Sequence, residues 1–231
     1  MGITFAVNKY LAGNNLDQRG ALTLMGWIYP TSFSSPNTIV GAGASPGLPV
    51  QYRLSVDTVG KVQATWASGT SGGNEKTRIS TATVCSLNNL YHIAATRRGT
   101  TPFEWLQLFV NGVAVASATA NTGSPTMPTV QTFAIGRNGG YDGWYFKGRL
   151  FDVRMYSAVL SNSEIAAIYA EAGRDNITHN LVGRWPMLEG QSGATASGAN
   201  TVLDVSGNGK HQTPTGSPTY VDTPMKIFRG Y

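Results

Sequence analysis

The chain has 231 residues, of which 41% are hydrophobic and only 13% charged, with 28 glycines and 11 prolines. That balance suits one large β domain rich in turns and argues against a helical, highly charged fold. The net charge of +5 comes from 17 dispersed basic residues without a stripe, which argues against nucleic acid, a single cysteine excludes an internal disulfide framework, and no apolar run reaches the ~18 residues of a membrane span.

From the amino terminus, Ile3–Val7 alternates apolar and polar residues before a turn cluster at Gly13-Asn14-Asn15. Ala21–Tyr29 reads as a strand ended by Pro30. Residues 31–49 read as a Ser-, Pro- and Gly-rich loop around a short strand at Thr38–Val40. Gln51–Val56 and Lys61–Trp66 alternate with period two and are joined by Asp57–Gly60, a hairpin pattern. Ser68–Asn74 is a polar tip, and Cys85 reads as a small buried hydrophobe. Leu90–Thr96 is a further strand. Glu104–Val110 turns through Asn111-Gly112, residues that tolerate positive φ, into Val113–Ala116. Thr132–Arg137 then leads through Asn138–Gly143 to the stretch Trp144–Tyr156.

In that stretch both parities carry large apolar residues, Phe146, Leu150 and Tyr156 on one and Tyr145, Phe151, Val153 and Met155 on the other. It reads as a central strand covered on both faces. Asp152, between Phe151 and Val153, must be met by a cation, a metal or several donors, because an uncompensated buried carboxylate is costly. Ser161–Glu164 is a Ser-x-x-Glu capping box. Ile165, Ile168, Tyr169 and Ala172 then form an apolar stripe stopped by Gly173, which predicts one short helix near residues 162–172. Leu181–Glu189 and Asp204–His211 follow. Beyond them a tail carries Met225, Ile227, Phe228 and Tyr231 among Lys226 and Arg229.

The spaced set Phe146, Gly148, Asp152, Val153, Arg154, Tyr156, Leu160, Glu164 and Ile165 resembles the closing segment of laminin-G-like domains of the concanavalin A-like jelly roll. Gly26–Pro30, Leu90–Thr96 and Leu108–Val113 are similar to three other segments of that family, and Trp27 and Trp185 fall at its core positions. Leu181–Glu189 and Asp204–His211 resemble a segment that many members carry at the amino-terminal end, so the chain reads as circularly permuted relative to them. The resemblance implies an all-β, two-sheet antiparallel jelly-roll sandwich over residues 1–222, followed by a tail at 223–231. Trp27, Phe109, Ile135, Phe151, Val153 and Trp185 are expected between the two sheets.

Glycan hydrolases and lyases share this architecture, and a retaining glucanase needs two carboxylates close together, placed at alternate positions of one strand. None of the 12 acidic residues has another at i+2, so no catalytic residue is assigned and the chain is not expected to be an enzyme. Two Gly-x-Ser-x-Gly matches, at Gly43–Gly47 and Gly69–Gly73, open no helix and lack the context of a nucleophile elbow. His92, His179 and His211 have no zinc spacing, and His92 reads as a packed sheet residue. The resemblance implies a structural calcium held by Asp152 and by Asp204 with its Ser-Gly-Asn-Gly turn. The alternative is that Asp152 pairs with Arg154 or Arg184 while Asp204 caps its own turn. Trp66, Trp105, Tyr141 and Trp144 sit near strand ends and loops, either as a glycan-stacking platform or as core and loop pins.

Three functions are compatible with these features. The first is a non-catalytic virion structural protein, a capsid decoration or adhesin subunit of a bacteriophage. In it Met225, Ile227, Phe228 and Tyr231 would bury against capsid proteins or a second copy of the chain. No charged-then-apolar leader is visible, and a virion, released by lysis, needs none. The alternative is a secreted carbohydrate-binding module, extracellular and facing a cell-surface glycan. The third is a glycan-active hydrolase or lyase. Fold alone does not decide among them.

Overall fold

The structure, a computed structural model, describes residues 1–13, 15–43, 50–66, 76–98, 105–122, 132–140 and 143–222. In chain order the strands are β1 (Gly2–Phe5), β2 (Tyr10–Ala12), β3 (Leu22–Pro30), β4 (Asn37–Gly43), β5 (Val50–Val56), β6 (Val62–Trp66), β7 (Lys76–Ser80) and β8 (Tyr91–Arg97). They continue with β9 (Trp105–Val110), β10 (Val113–Val115), β11 (Ser117–Thr122), β12 (Thr132–Ile135), β13 (Gly148–Tyr156), β14 (Leu181–Trp185), β15 (Thr213–Thr215) and β16 (Thr219–Val221). Helix α1 (Asn162–Glu171) lies between β13 and β14.

The strands form two eight-stranded sheets, as the jelly-roll sandwich requires. The first runs β10-β9-β8-β3-β13-β1-β16, with β14 also on β13; the second runs β11-β7-β6-β5-β4-β12-β2-β15. One side of β13 is shared: β1 pairs with Gly148–Leu150 and β14 with Val153–Tyr156. At both lateral edges the chain crosses directly from sheet to sheet, through Ala116 between β10 and β11 and through Gly216–Pro218 between β15 and β16. The outer edge of β16 is further covered by residues 193–196, whose backbone bonds to Tyr220 and Pro218. An unpaired strand edge invites foreign strands, and this one is blunted.

The inner faces meet in one apolar core. It takes Ile3, Phe5, Leu24, Ile28, Ile93 and Leu108 from the first sheet, Leu54, Val62, Trp66, Phe133 and Ile135 from the second, and Trp185 from β14. Alternation along the strands puts most of these residues inward, and β13 departs from it. In β13, Phe151 pairs with Trp27 and Arg154 with Met25, so Asp152 and Val153 together face Gly26. Asp152 takes φ +41°, a left-handed value that an aspartate tolerates better than most side chains. This β-bulge resets the parity of the strand. Leu150, Val153 and Met155 enter the core, whereas Phe151 and Tyr156 face the other side. Gly26 leaves the room: a Cβ there would stand 3.1 Å from Val153 Cγ2.

The expected core is corrected in part, by the bulge at Phe151 and by plain alternation at Trp27 and Phe109. Ile135, Val153 and Trp185 lie between the sheets. Trp27, Phe109 and Phe151 are equally buried, but on the outer face of the first sheet, beneath α1 and its flanking segments. Helix α1 begins at the expected capping box, Ser161 Oγ accepting from Glu164 N and Glu164 Oε2 accepting from Ser161 N. It ends at Ala172, which is left-handed at φ 47°. Ile165 and Ile168 pack onto Met25, Ala94, Phe109 and Tyr156. Thr23 Oγ1 donates to Ala158 O at 2.7 Å and accepts from Leu160 N at 3.0 Å, fastening the entry of the helix to β3.

Candidate functional site

Two polar assemblies stand out from the apolar framework. The first surrounds Asp152 on the outer face of the first sheet. Its Oδ2 accepts from Arg154 Nε (2.9 Å) and Nη2 (2.6 Å), and its Oδ1 from Arg184 Nε (2.8 Å). Arg154 also forks Asp175, with Nη1 and Nη2 at 2.9 and 2.8 Å. Arg184 Nη2 donates to Gly173 O at 2.6 Å. Two acids and two guanidinium groups therefore neutralise one another between β13, the segment after α1, and β14. Burial works to raise the Asp152 carboxyl, but Arg154 and Arg184 outweigh it and hold the group below the usual carboxylate range. Asp175 is held low in the same way, Arg154 outweighing burial.

Asp204 closes the neighbouring turn. Its Oδ1 accepts from the backbone N–H of Arg184 and Ser206, and its Oδ2 from the N–H of Lys210 and the Ser206 hydroxyl, all at 2.8–2.9 Å. The expected calcium does not fit these residues. Calcium needs converging oxygen ligands, whereas Asp152 faces two cations and Asp204 faces donor hydrogens. Among the described residues no group of three or more His, Cys, Asp or Glu is placed to hold a metal ion.

The second assembly lies on the outer face of the second sheet, and it is the better candidate for a binding site. Cross-strand pairing aligns Ala134, Gly41, Arg53, Thr65 and Thr77 in one row, with Thr38 and Ser55 paired beside it. Arg53 Nη2 donates to Thr65 Oγ1 at 2.9 Å, and Thr65 and Thr77 share a hydroxyl bond of 3.0 Å. Residues after β12 cross this row: Gly140 N bonds Gly43 O at 2.7 Å, and Thr38 N bonds Trp144 O at 3.2 Å. Trp144 has φ +52°, a strained value for an aromatic residue, and its half-buried ring lies 4.2 Å from the Arg53 guanidinium carbon. Nearby, the Arg137 guanidinium stacks 3.7 Å over the ring of Tyr10, whose own neighbour is Tyr145, at 6.3 Å between centroids. Thr38 Oγ1, Ser55 Oγ and Asn138 Oδ1 are buried on this face without a hydrogen-bond partner. Buried orphans of this kind call for an explanation, such as a bound water or ligand.

The residues singled out for a glycan platform fare differently. Trp144 lies on this face. Trp66 does not: it is 1% exposed in the core, against Tyr52 and beneath the guanidinium of Arg97. Of Trp105 only the backbone, in β9, is described, and Tyr141 lies outside the described residues. Met225, Ile227, Phe228 and Tyr231 lie outside them too. His92 is packed between Trp27 and Tyr169, and Cys85 is buried, its thiol pushed up to about 12 chiefly by burial. Sequence reasoning missed Arg53, Arg137, Tyr10 and Tyr145. Arg53 carried a usable signal, since it occupies the polar parity of a β5 whose other parity is Tyr52, Leu54 and Val56.

The family model of the concanavalin A-like lectin/glucanases superfamily, in its laminin G form, matches residues 7–166. Among curated proteins no sequence matches. A candidate carbohydrate binding protein from Bacteroides ovatus has a similar structure, with TM-score 0.67 and 19% identity, and covers 98% of this chain. The chain spans 61% of that protein. The CBM40 of the Ruminococcus gnavus IT-sialidase, solved with α2,3 sialyllactose, gives TM-score 0.56 at 15% identity over 73% of this chain and 98% of its own. The heptameric SAP-like pentraxin of Limulus polyphemus gives 0.52 at 16% identity over 74% of this chain and 82% of its own.

Proposed function

We infer that this chain, which belongs to the concanavalin A-like lectin/glucanases superfamily, is a non-catalytic carbohydrate-binding domain that takes its ligand across the outer face of the second sheet. The observation that carries the reading is the stack of Trp144 on Arg53 above a buried row of hydroxyl groups. Sugars are recognised by an aromatic face for their C–H surface and by nearby polar groups for their hydroxyls; the half-buried Trp144 and Tyr10 offer the first and the half-buried Arg137 the second, with the Arg53 row packed beneath them. Similarity to the Bacteroides ovatus protein and to the CBM40 supports the same reading. In this reading the chain works outside the cell, against a surface or matrix glycan.

A hydrolytic role has less to stand on. Asp152 and Asp175 share Arg154 and are almost fully buried, so both are held ionised by the same cation rather than set across a cleft as acid and nucleophile. The virion reading drew on the absence of a visible leader, the low charge and the apolar tail, the last of which lies outside the described residues, and the structural similarities favour the carbohydrate-binding alternative over it. Titration calorimetry against a panel of plant, bacterial and animal oligosaccharides tests the reading. At least one should bind, and Trp144→Ala should weaken it about tenfold, the worth of one good stacking contact, with the melting temperature unchanged. A panel without binders, or a Trp144→Ala variant that binds as well as the parent, would refute it.

A further inference from the structure

Arg137 is the cation of this face that the framework leaves unanswered. Gly136, just before it, has φ +85°, and a Cβ there would stand 2.4 Å from the Phe5 ring, so the chain turns at that point with no side chain. The turn lays Arg137 over Tyr10. No hydrogen bond or ion pair holds the guanidinium among the described residues, and its Nε is sealed from solvent without an acceptor. Beside it Asn138, 4% exposed, has an Oδ1 without a donor. Asp17 is already held by Arg19 and by the amide of Gln51. Asp142 lies outside the described residues.

A guanidinium stacked face-on against an aromatic ring keeps its plane fixed and its N–H groups directed outward in that plane. Such a group is pre-organised for the two parallel oxygens of a carboxylate, and the ordering cost falls before the ligand arrives. A neutral sugar would answer the same cation only with weak hydroxyl acceptors. We propose that Arg137, braced on Tyr10, is an anion-reading subsite, and that the glycan bound here carries a sugar carboxylate, as a uronic or sialic acid does. The proposal rests on the carbohydrate-binding reading and narrows it to acidic glycans.

The test uses the full chain and four probes: a neutral gluco-oligosaccharide, an oligouronate, a sialylated oligosaccharide and a sulfated oligosaccharide. At least one carboxylated probe should bind roughly tenfold or more tightly than the neutral one, the worth of one charge-assisted hydrogen-bonded pair. Arg137→Gln should remove that preference by weakening the carboxylated probe far more than the neutral one, and Arg137→Lys should restore only part of it. Melting curves of both variants should match the parent. Equal binding of neutral and carboxylated probes, or an equal loss of both in Arg137→Gln, overturns the subsite and leaves the carbohydrate reading intact. Binding that favours only the sulfated probe, insensitive to Arg137→Gln and abolished by moderate salt, also overturns it, as adhesion through the net charge of +5. If no sugar binds at all, both readings fall.

Discussion

His92 sits on the outer face of the first sheet with its ring 5.2 Å from that of Trp27 and 6.2 Å from that of Tyr169. Burial, with the nearby Arg154 charge, lowers its pKa to about 3, against partial opposition from Asp152 and Asp175. In the unfolded chain the imidazole returns to its ordinary pKa near 6.5. Between those values the unfolded state binds a proton that the native state refuses, so stability is full above about pH 6.5 and declines as the pH falls toward 3. The slope is at most about 1.4 kcal/mol per pH unit. Asp152 and Asp175, whose native pKa values are lowered, keep their contribution above the ordinary carboxylate range and lose it only as the pH falls through their own values. The histidine therefore acts first. Replacing His92 by Phe, which retains the ring stack, should flatten the fall in melting temperature between about pH 6 and pH 4.5. Identical slopes for parent and variant by scanning calorimetry would show that another group sets the decline.

At the scale of the element, the bulge in β13 and the charges fixed by it are one device. The left-handed Asp152 sends two consecutive side chains, Phe151 and Asp152, outward, and there the acid collects Arg154 and Arg184. Asp152→Asn separates backbone from charge, because asparagine tolerates the same φ but offers no anion. Arg154 would keep Asp175, while Arg184 would lose its carboxylate. Breaking a buried pair from one side costs about 3–5 kcal/mol, so a loss of that size is expected by urea unfolding. Calcium or a chelator should leave the parent's melting temperature unmoved, since the arginines occupy the place a cation would need. Elements set by local chemistry were legible in the sequence: the Ser161–Glu164 capping box, the Asn111-Gly112 hairpin, and strands such as β5 and β6 with strict alternation. The bulge was not, because period-two reading assumes an unbroken register. Its one trace was apolar residues on both parities, which was read as cover on both faces of a straight strand. That cover exists, but Phe151 and Val153 lie on opposite sides of the sheet. The candidate face was legible in Trp144 and, through its polar parity in β5, in Arg53, whereas Tyr10 and Arg137 come from a strand and a turn that only the fold brings to the same surface.

Across the whole molecule, the family match ends at residue 166, yet the chain beyond it is built into both sheets. β14 continues the side of β13 that β1 leaves unpaired, and Trp185 packs its ring against Phe133 of the opposite sheet at 5.3 Å. Trp185 Nε1 also donates to Lys210 O, which ties the Asp204 turn to the same strand. β15 and β16 supply the last strand of each sheet and carry the chain across that edge. Losing this region would expose β1 and β2 as bare edges, leave Asp152 without Arg184, and open the core beside Val153. Loss of the Trp185 side chain alone should cost about 3–5 kcal/mol, a large share of the 5–15 kcal/mol that holds a typical domain. A chain truncated after residue 175 should therefore lack a cooperative thermal transition and expose apolar surface to a hydrophobic dye. Trp185→Ala in the full chain should fold with a lowered melting temperature. A truncated chain that melts cooperatively near the parent's temperature would mean that residues 176–222 decorate a self-sufficient sandwich instead of completing it.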